Sequence, residues 1–220
     1  MCRFLLVRSK NKIKPEKLLD EFASMCEKSR APDGDWQGDG YGIAWRMAGK
    51  WELKKSLTPV WDEINRFETI PKTKLFAVHA RSSCFPNQKG IIEYNQPYIE
   101  DSLCFVFNGM VRGVSLSMPL DGKIGAQKIF SLLKQNIRKN STDEALRQVD
   151  RLIVNNAKKV EGMNIGVVYD GKFYVLCEYE SNKDYFGIRY YQDDDITLVC
   201  SEPIGSYQWR NMKKSEILLL

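Results

Sequence analysis

Cys2 stands beside the first residue of the chain. Removal of Met1, usual when the second side chain is small, places a thiol and a free α-amino group on one residue. An unperturbed α-amine has a pKa of about 7.7–8.0, which suits a general base near neutrality, so this residue supplies nucleophile and base together. Taken alone, Cys2 reads as a small residue leading into a strand, and other groups must converge on it before it means more. Two segments could do so. Asn108-Gly109 lies inside the apolar run Leu103–Val111. Asn-Gly in such a run signals a hairpin turn, while a side-chain amide with a glycine N–H at a strand end also forms an oxyanion hole. His79-Ala80-Arg81-Ser82-Ser83 follows another apolar run and puts Arg81 at a strand end. There its guanidinium fork can grip a carboxylate bidentately or close an internal salt bridge. His79 reads as a structural ring, hydrogen-bonded beneath the loop.

His79 is the one histidine among 220 residues. That excludes zinc sites built on two or three imidazoles, the HExxH helix and the facial triad. A nucleophile carrying its own amine has no need of imidazole. The cysteines at 2, 26, 84, 104, 177 and 200 form no CxxC pair, so neither a zinc knuckle nor a thioredoxin motif is present. The loop Gly34–Gly42 does not fit GxGxxG and leads into a strand, and a calcium loop opening at Asp35 would place Arg46 where a carboxylate belongs. Asp193-Asp194-Asp195 reads as a solvated turn. No metal or cofactor is expected. Lys and Arg number 33 against 28 Asp and Glu, a net charge of +5 with no run of five like charges. That excess is too mild to point to nucleic acid, and Lys10, Lys12, Lys14 and Lys17 read as solvated. At 43% hydrophobic and 28% charged residues the composition is that of a soluble globular protein. No apolar stretch reaches membrane-spanning length and the N-terminus lacks a signal peptide, so no membrane partner and a cytoplasmic location are expected.

The elements that must position these groups follow from pattern. The length suits one domain spanning 1–220. Phe4–Val7 reads as a buried strand, and Leu18, Leu19, Phe22, Met25 and Cys26 recur at helical spacing after Pro15. Tyr41–Met47 and Trp51–Leu57 form a hairpin around Ala48-Gly49-Lys50, and Lys74–His79 is a further strand. Leu103–Val114 reads as two strands turning at Asn108-Gly109. Ile124–Ile137 is a helix, and Ser141-Thr142-Asp143-Glu144 fits a capping box opening another. Asn164–Tyr169, Lys172–Glu178 and Ile196–Cys200 return to strand, and Ile217–Leu220 is either a last strand or a frayed tail. Strands in blocks with paired helices predict antiparallel sheets covered by helices, an α+β fold.

Together these segments resemble the class II glutamine amidotransferase family of N-terminal nucleophile hydrolases, in particular its small stand-alone members. The resemblance rests on Met1-Cys2-Arg3-Phe4-Leu5, Asp39 to Trp45, His79 to Ser83, Asn95-Gln96-Pro97-Tyr98, Phe107-Asn108-Gly109, and Ser201-Glu202-Pro203 followed by Trp209. They occur in the family's order along nearly the whole chain. The resemblance implies a four-layer αββα sandwich of two antiparallel sheets. It implies that Cys2 attacks a glutamine side-chain amide through a glutamyl thioester, giving glutamate and ammonia, while Asn108 and the N–H of Gly109 hold the oxyanion. Arg81 would bind the substrate α-carboxylate, with Ser82, Ser83, Asp39 and Gly40 completing the substrate site. The implied partners are glutamine or a γ-glutamyl amide and a separate ammonia-accepting synthase subunit. Alternatives are an amide hydrolase without ammonia transfer and a non-catalytic regulatory or binding subunit of the same fold. This chain departs from the family in having Phe107 in place of a usual histidine and Ser82-Ser83 in place of Ala-Thr. It also has Gly125 where an aspartate for the α-amino group is usual, the nearest acid being Asp121. A γ-glutamyl compound with a blocked amine would account for that loss.

Overall fold

The computed structural model describes residues 1–220. Along the first strand, β1 (Arg3–Ile13), side chains alternate between two apolar environments. Phe4 and Leu6 point to one side, where they meet Ala44, Ala77, Val106 and Val168; Leu5 and Val7 point to the other, against Leu19, Phe22, Phe76 and Val78. A strand apolar on both faces must lie inside a stack of layers.

Helix α1 (Glu16–Lys28) supplies Leu19 and Phe22 and covers the outer face of β1. The chain then forms β2 (Tyr41–Met47) and β3 (Lys50–Ser56), a 3-10 run over Val60–Thr69, and β4 (Thr73–Ala80). After β5 (Tyr98–Glu100) and β6 (Leu103–Arg112) come α2 (Gly125–Ile137) and α3 (Thr142–Asn156), then β7 (Lys159–Tyr169) and β8 (Lys172–Cys177). A short α4 (Lys183–Phe186) precedes β9 (Arg189–Gln192), β10 (Ile196–Cys200), β11 (Arg210–Asn211) and β12 (Glu216–Leu219). Seven strands pair in the order β11-β9-β10-β1-β4-β2-β3 and five in the order β12-β8-β7-β6-β5. Every pairing within the two sheets is antiparallel. Phe105, Ile165 and Val167 face Ile129, Leu133 and Val149 of α2 and α3. The layers are therefore α1, the seven-stranded sheet, the five-stranded sheet, and the α2–α3 pair: an αββα sandwich. No helix is long and apolar enough to cross a membrane.

Local turn chemistry explains two hairpins. Ala48-Gly49 has φ of 49° and 81°, and Asp170-Gly171 has 47° and 73°, the left-handed pair that two-residue hairpins prefer. Asn108-Gly109 behaves differently from the expected turn. It lies within the unbroken strand β6, where Asn108 pairs with Asn164 and Gly109 with Met163 of β7. A Cβ on Gly109 would stand 2.0 Å from the Gly162 carbonyl oxygen, so the glycine serves a close approach of two strands. The expected capping box also fails to form, since Ser141 precedes α3 without a side-chain cap bond. The first strand runs well past the expected Val7, and the C-terminal segment is a paired strand, Ile217 lying opposite Leu176.

Candidate active site

Cys2 immediately precedes β1, whose Arg3 is paired with Ala80 at the end of β4. That register sets Cys2 beside the segment Arg81-Ser82-Ser83. The Ser82 N–H donates to the Cys2 sulfur at 3.4 Å, and the thiol donates to the Ser82 carbonyl at 3.5 Å. Arg3 anchors the strand start. Its buried guanidinium bonds Ser29 Oγ at 2.9 Å and the Tyr185 carbonyl at 2.8 Å, and pairs with Glu202 at 2.6 Å. With so many partners Arg3 is a structural cation, whereas its neighbour Cys2 is left only partly buried. Burial pushes the Cys2 thiol above its ordinary pKa, against the opposing pull of the N-terminal ammonium, the Ser82 amide and Arg81. A thiol in that state needs a base to become a nucleophile.

Met1 lines the same cavity as Cys2 and is tied down at both of its backbone ends. Its ammonium pairs with Asp35 at 2.6 Å, and its carbonyl accepts from Gln37 Nε2 at 2.7 Å and the Tyr185 hydroxyl at 2.9 Å. Asp35 also accepts from the Ser82 hydroxyl. Burial would raise the Asp35 pKa, but the bonds from the ammonium and Ser82 outweigh it and hold the carboxyl below its ordinary value. Nothing local in the sequence marks Asp35, Gln37 or Tyr185, because their partner is the distant chain start.

Arg81 is buried. One guanidinium nitrogen, Nη2, donates to the Gln88 carbonyl at 2.8 Å, and the other, Nη1, has no partner. Its guanidinium lies 5.7 Å from the Tyr94 ring centre. The unpartnered nitrogen is the notable feature, since buried donors are nearly always satisfied.

The oxyanion candidates lie on the other sheet and are held by a clamp on Phe107. The Phe107 N–H donates to Gln96 Oε1 at 2.6 Å, while its carbonyl accepts from Gln96 Nε2 at 3.3 Å and from His79 Nε2 at 3.0 Å. The carbonyl can only accept, so the proton of His79 sits on Nε2. Burial first, and then the nearby cations Arg81 and Lys55, lower the His79 pKa to about 3, leaving a neutral ring that braces strand β6. This agrees with its reading as structural. Backbone groups two residues apart point the same way along a strand, so the Gly109 N–H follows the direction of Phe107's, beyond the end of β5. Asn108, with the opposite orientation, is fully buried, and neither its amide nitrogen nor its amide oxygen has a partner.

These pieces surround a cavity of about 140 Å³. Cys2, Arg81, Ser82, Ser83 and Gly109 line it, with Phe107, Val111, Ile124, Ala126 and Ile129 forming an apolar wall. Asn108 lies behind this surface. Asp39 and Gly40 lie outside the cavity wall, a departure from their expected place in the substrate site. Asp39 accepts the Ser83 N–H at 2.7 Å and pairs with Lys89 at 3.3 Å, so it holds the serine loop. Gly40 has φ of 102°, and a Cβ there would stand 2.3 Å from the Ser56 carbonyl oxygen. Its place is backbone packing.

No family model and no curated protein matches the sequence. Solved structures do. A glutamine aminotransferase class-II domain protein from Silicibacter pomeroyi matches at 16% identity and TM-score 0.66, covering 99% of this chain and 94% of that one. A predicted glutamine amidotransferase from Pseudomonas aeruginosa matches at 15% identity and TM-score 0.57, covering 99% and 96%. Glutamine phosphoribosylpyrophosphate amidotransferase from B. subtilis matches at 14% identity and TM-score 0.72, but this chain covers only 47% of its length. At such identities the likeness is one of fold: this chain carries the αββα sandwich of glutamine amidotransferase class II domains.

Proposed function

We propose that the protein is an N-terminal cysteine amidohydrolase of the class II glutamine amidotransferase kind, acting on a γ-amide that carries a carboxylate. The observation that carries this reading is the meeting of Cys2, Gly109 and an Arg81 with an unpartnered nitrogen on one small cavity.

In this reading Met1 is removed and the α-amine of Cys2 takes the thiol proton. The sulfur attacks the amide carbon, forming a C–S bond, and negative charge collects on the carbonyl oxygen. The Gly109 N–H, on the cavity wall, would be one donor for that oxygen, and the unpartnered Asn108 side-chain amide, buried behind that wall, would turn toward it as the second. Collapse breaks the C–N bond, and the ammonium of Cys2 returns its proton to the departing ammonia. Water then attacks the thioester, restoring the thiol and releasing the acid. Arg81 holds the substrate carboxylate so that the amide carbon meets the sulfur. Asp35, Gln37 and Tyr185, which engage Met1 in the unprocessed chain, would lie next to the newly exposed amine. Ammonia leaves to solvent or to a separate synthase.

The test pairs intact mass with ammonia release from L-glutamine and a panel of γ-glutamyl amides. Protein lacking Met1 is expected to cleave at least one member, and Cys2→Ala to cleave none. Equal rates for both would remove Cys2 from the reaction, and no ammonia from any member would leave a binding subunit as the better account.

A further inference from the structure

We infer that the site accepts a γ-amide whose α-nitrogen is acylated by an apolar chain, an N-acylglutamine-type molecule, in preference to one with a free α-ammonium. This rests on the amidohydrolase reading above and specifies its substrate class.

The first observation is electrostatic. No Asp or Glu lines the cavity, and its one charged side chain is Arg81. A free α-ammonium would sit near that guanidinium with no carboxylate to answer it, paying desolvation and repulsion together. The neighbouring acids are engaged elsewhere. Asp35 is bonded to Ser82 and lies off the cavity wall, and once Met1 is gone it would face the ammonium of Cys2 in place of that of Met1, while Asp39 holds Ser83 and Lys89. Asp121 is turned toward Ser131, whose hydroxyl meets its amide at 3.0 Å and its carboxylate at 3.5 Å.

The second observation is a neighbouring apolar cleft of about 220 Å³, which shares Val111, Gly125 and Ile129 with the cavity. Its further walls include Val114, Leu116, Met118, Leu120, Leu132 and Ile153. Val114 and Met118 are 42% and 37% exposed. Between the two spaces stands Gly125, where an added Cβ would meet no atom within 4 Å. Acylation removes the positive charge the cavity cannot pair, and the acyl chain has an open path over Gly125 to a surface that gains from being covered. The continuity of cleft and cavity makes the substrate's own tail the occupant, each buried methylene being worth roughly two- to fourfold in binding.

The experiment measures kcat/KM for ammonia release by the processed protein from L-glutamine, N-acetyl-L-glutamine and N-octanoyl-L-glutamine. N-octanoyl is expected to exceed N-acetyl at least tenfold, and N-acetyl to exceed the free amino acid. Met118→Glu should abolish the advantage of octanoyl over acetyl. Gly125→Asp should raise turnover of L-glutamine relative to N-octanoyl-L-glutamine by placing a carboxylate on the boundary. In parallel, N-octanoyl- and N-acetyl-L-glutamate are titrated into Cys2→Ala by calorimetry. Tighter octanoyl binding that Met118→Glu removes, without cleavage of any amide by the processed protein, upholds this inference and sinks the hydrolase reading. Turnover of L-glutamine equal to or better than that of the acylated amides overturns the inference and leaves the hydrolase reading standing. Absence of chain-length dependence in both arms also overturns it.

Discussion

Arg81→Gln tests the proposed grip on a substrate carboxylate. Of the two terminal guanidinium nitrogens, Nη2 is engaged by the Gln88 carbonyl and Nη1 has no partner, so the wild-type residue has at least one charge-assisted bond to offer a ligand. Such a bond is worth about 1.5–3 kcal/mol, which at 1.4 kcal/mol per factor of ten is roughly a ten- to hundredfold loss in kcat/KM. The fold should suffer less. Glutamine keeps a donor for the Gln88 carbonyl, and removing a buried cation relieves its desolvation, so the net cost in stability is about 1 kcal/mol or below. The assay compares a cleaved γ-amide with its α-methyl ester in wild type and variant, alongside thermal melting. Selectivity for the free acid should collapse in Arg81→Gln, while the ester is turned over at a similar rate by both proteins. An equal fall for acid and ester, or an unchanged ratio, would refute a role in carboxylate recognition and return Arg81 to a structural place.

Two further outcomes follow from geometry described above. In Gly109→Ala the new Cβ would stand 2.0 Å from the Gly162 carbonyl oxygen, so β6 and β7 must separate locally. Overpacking of this kind costs about 1–3 kcal/mol, and amide cleavage should fall by a larger factor than the loss of thermal stability implies; a variant with wild-type turnover would remove the Gly109 N–H from the oxyanion hole. Asp150 on α3 has an unpartnered carboxylate oxygen, and burial, with Glu178 nearby, raises its pKa to about 6. Its folded pKa lies above the unfolded one, so the folded state binds the proton more tightly and stability falls as pH rises from about 4 through 6. Asp150→Asn should therefore stabilise the protein at pH 7.5 by about 1–2 kcal/mol, after discounting for its partial exposure. Melting curves at several pH values check this: the gain should vanish below about pH 4, and a gain independent of pH would reject the titration argument.

The features legible in the sequence are those with local causes. The Ala48-Gly49 hairpin is legible because two left-handed residues suffice to make such a turn, and Asp170-Gly171 turns in the same way. The helices α1 and α2 were visible in the spacing of the apolar residues that now face the sheets. Asn108-Gly109 misled because its turn preference is local while its use is tertiary: the glycine admits the Gly162 backbone, and the asparagine is buried between sheets. The short strand Arg189–Gln192 exists through pairing with β10, which its own side chains do not advertise. At the site, Cys2, Arg81 and Gly109 stood out by type and neighbourhood. The roles of Asp35, Gln37, Tyr185 and Gln96 appear only in three dimensions, as does the placement of Asp39 behind the serine loop.

The bond from His79 to the Phe107 carbonyl joins different sheets. His79 is paired directly with Phe4, two residues beyond Cys2, and Phe107 immediately precedes Asn108. The imidazole is thus a cross-bolt between the strand that begins next to Cys2 and the strand that carries Asn108 and Gly109. Reach between them is governed by the gap of the sandwich, with no surface loop in the linkage. Any substitution in the inter-sheet layer that swells or narrows this gap, even one distant from the cavity, would act as a gauge adjustment on the separation of Cys2 from Gly109.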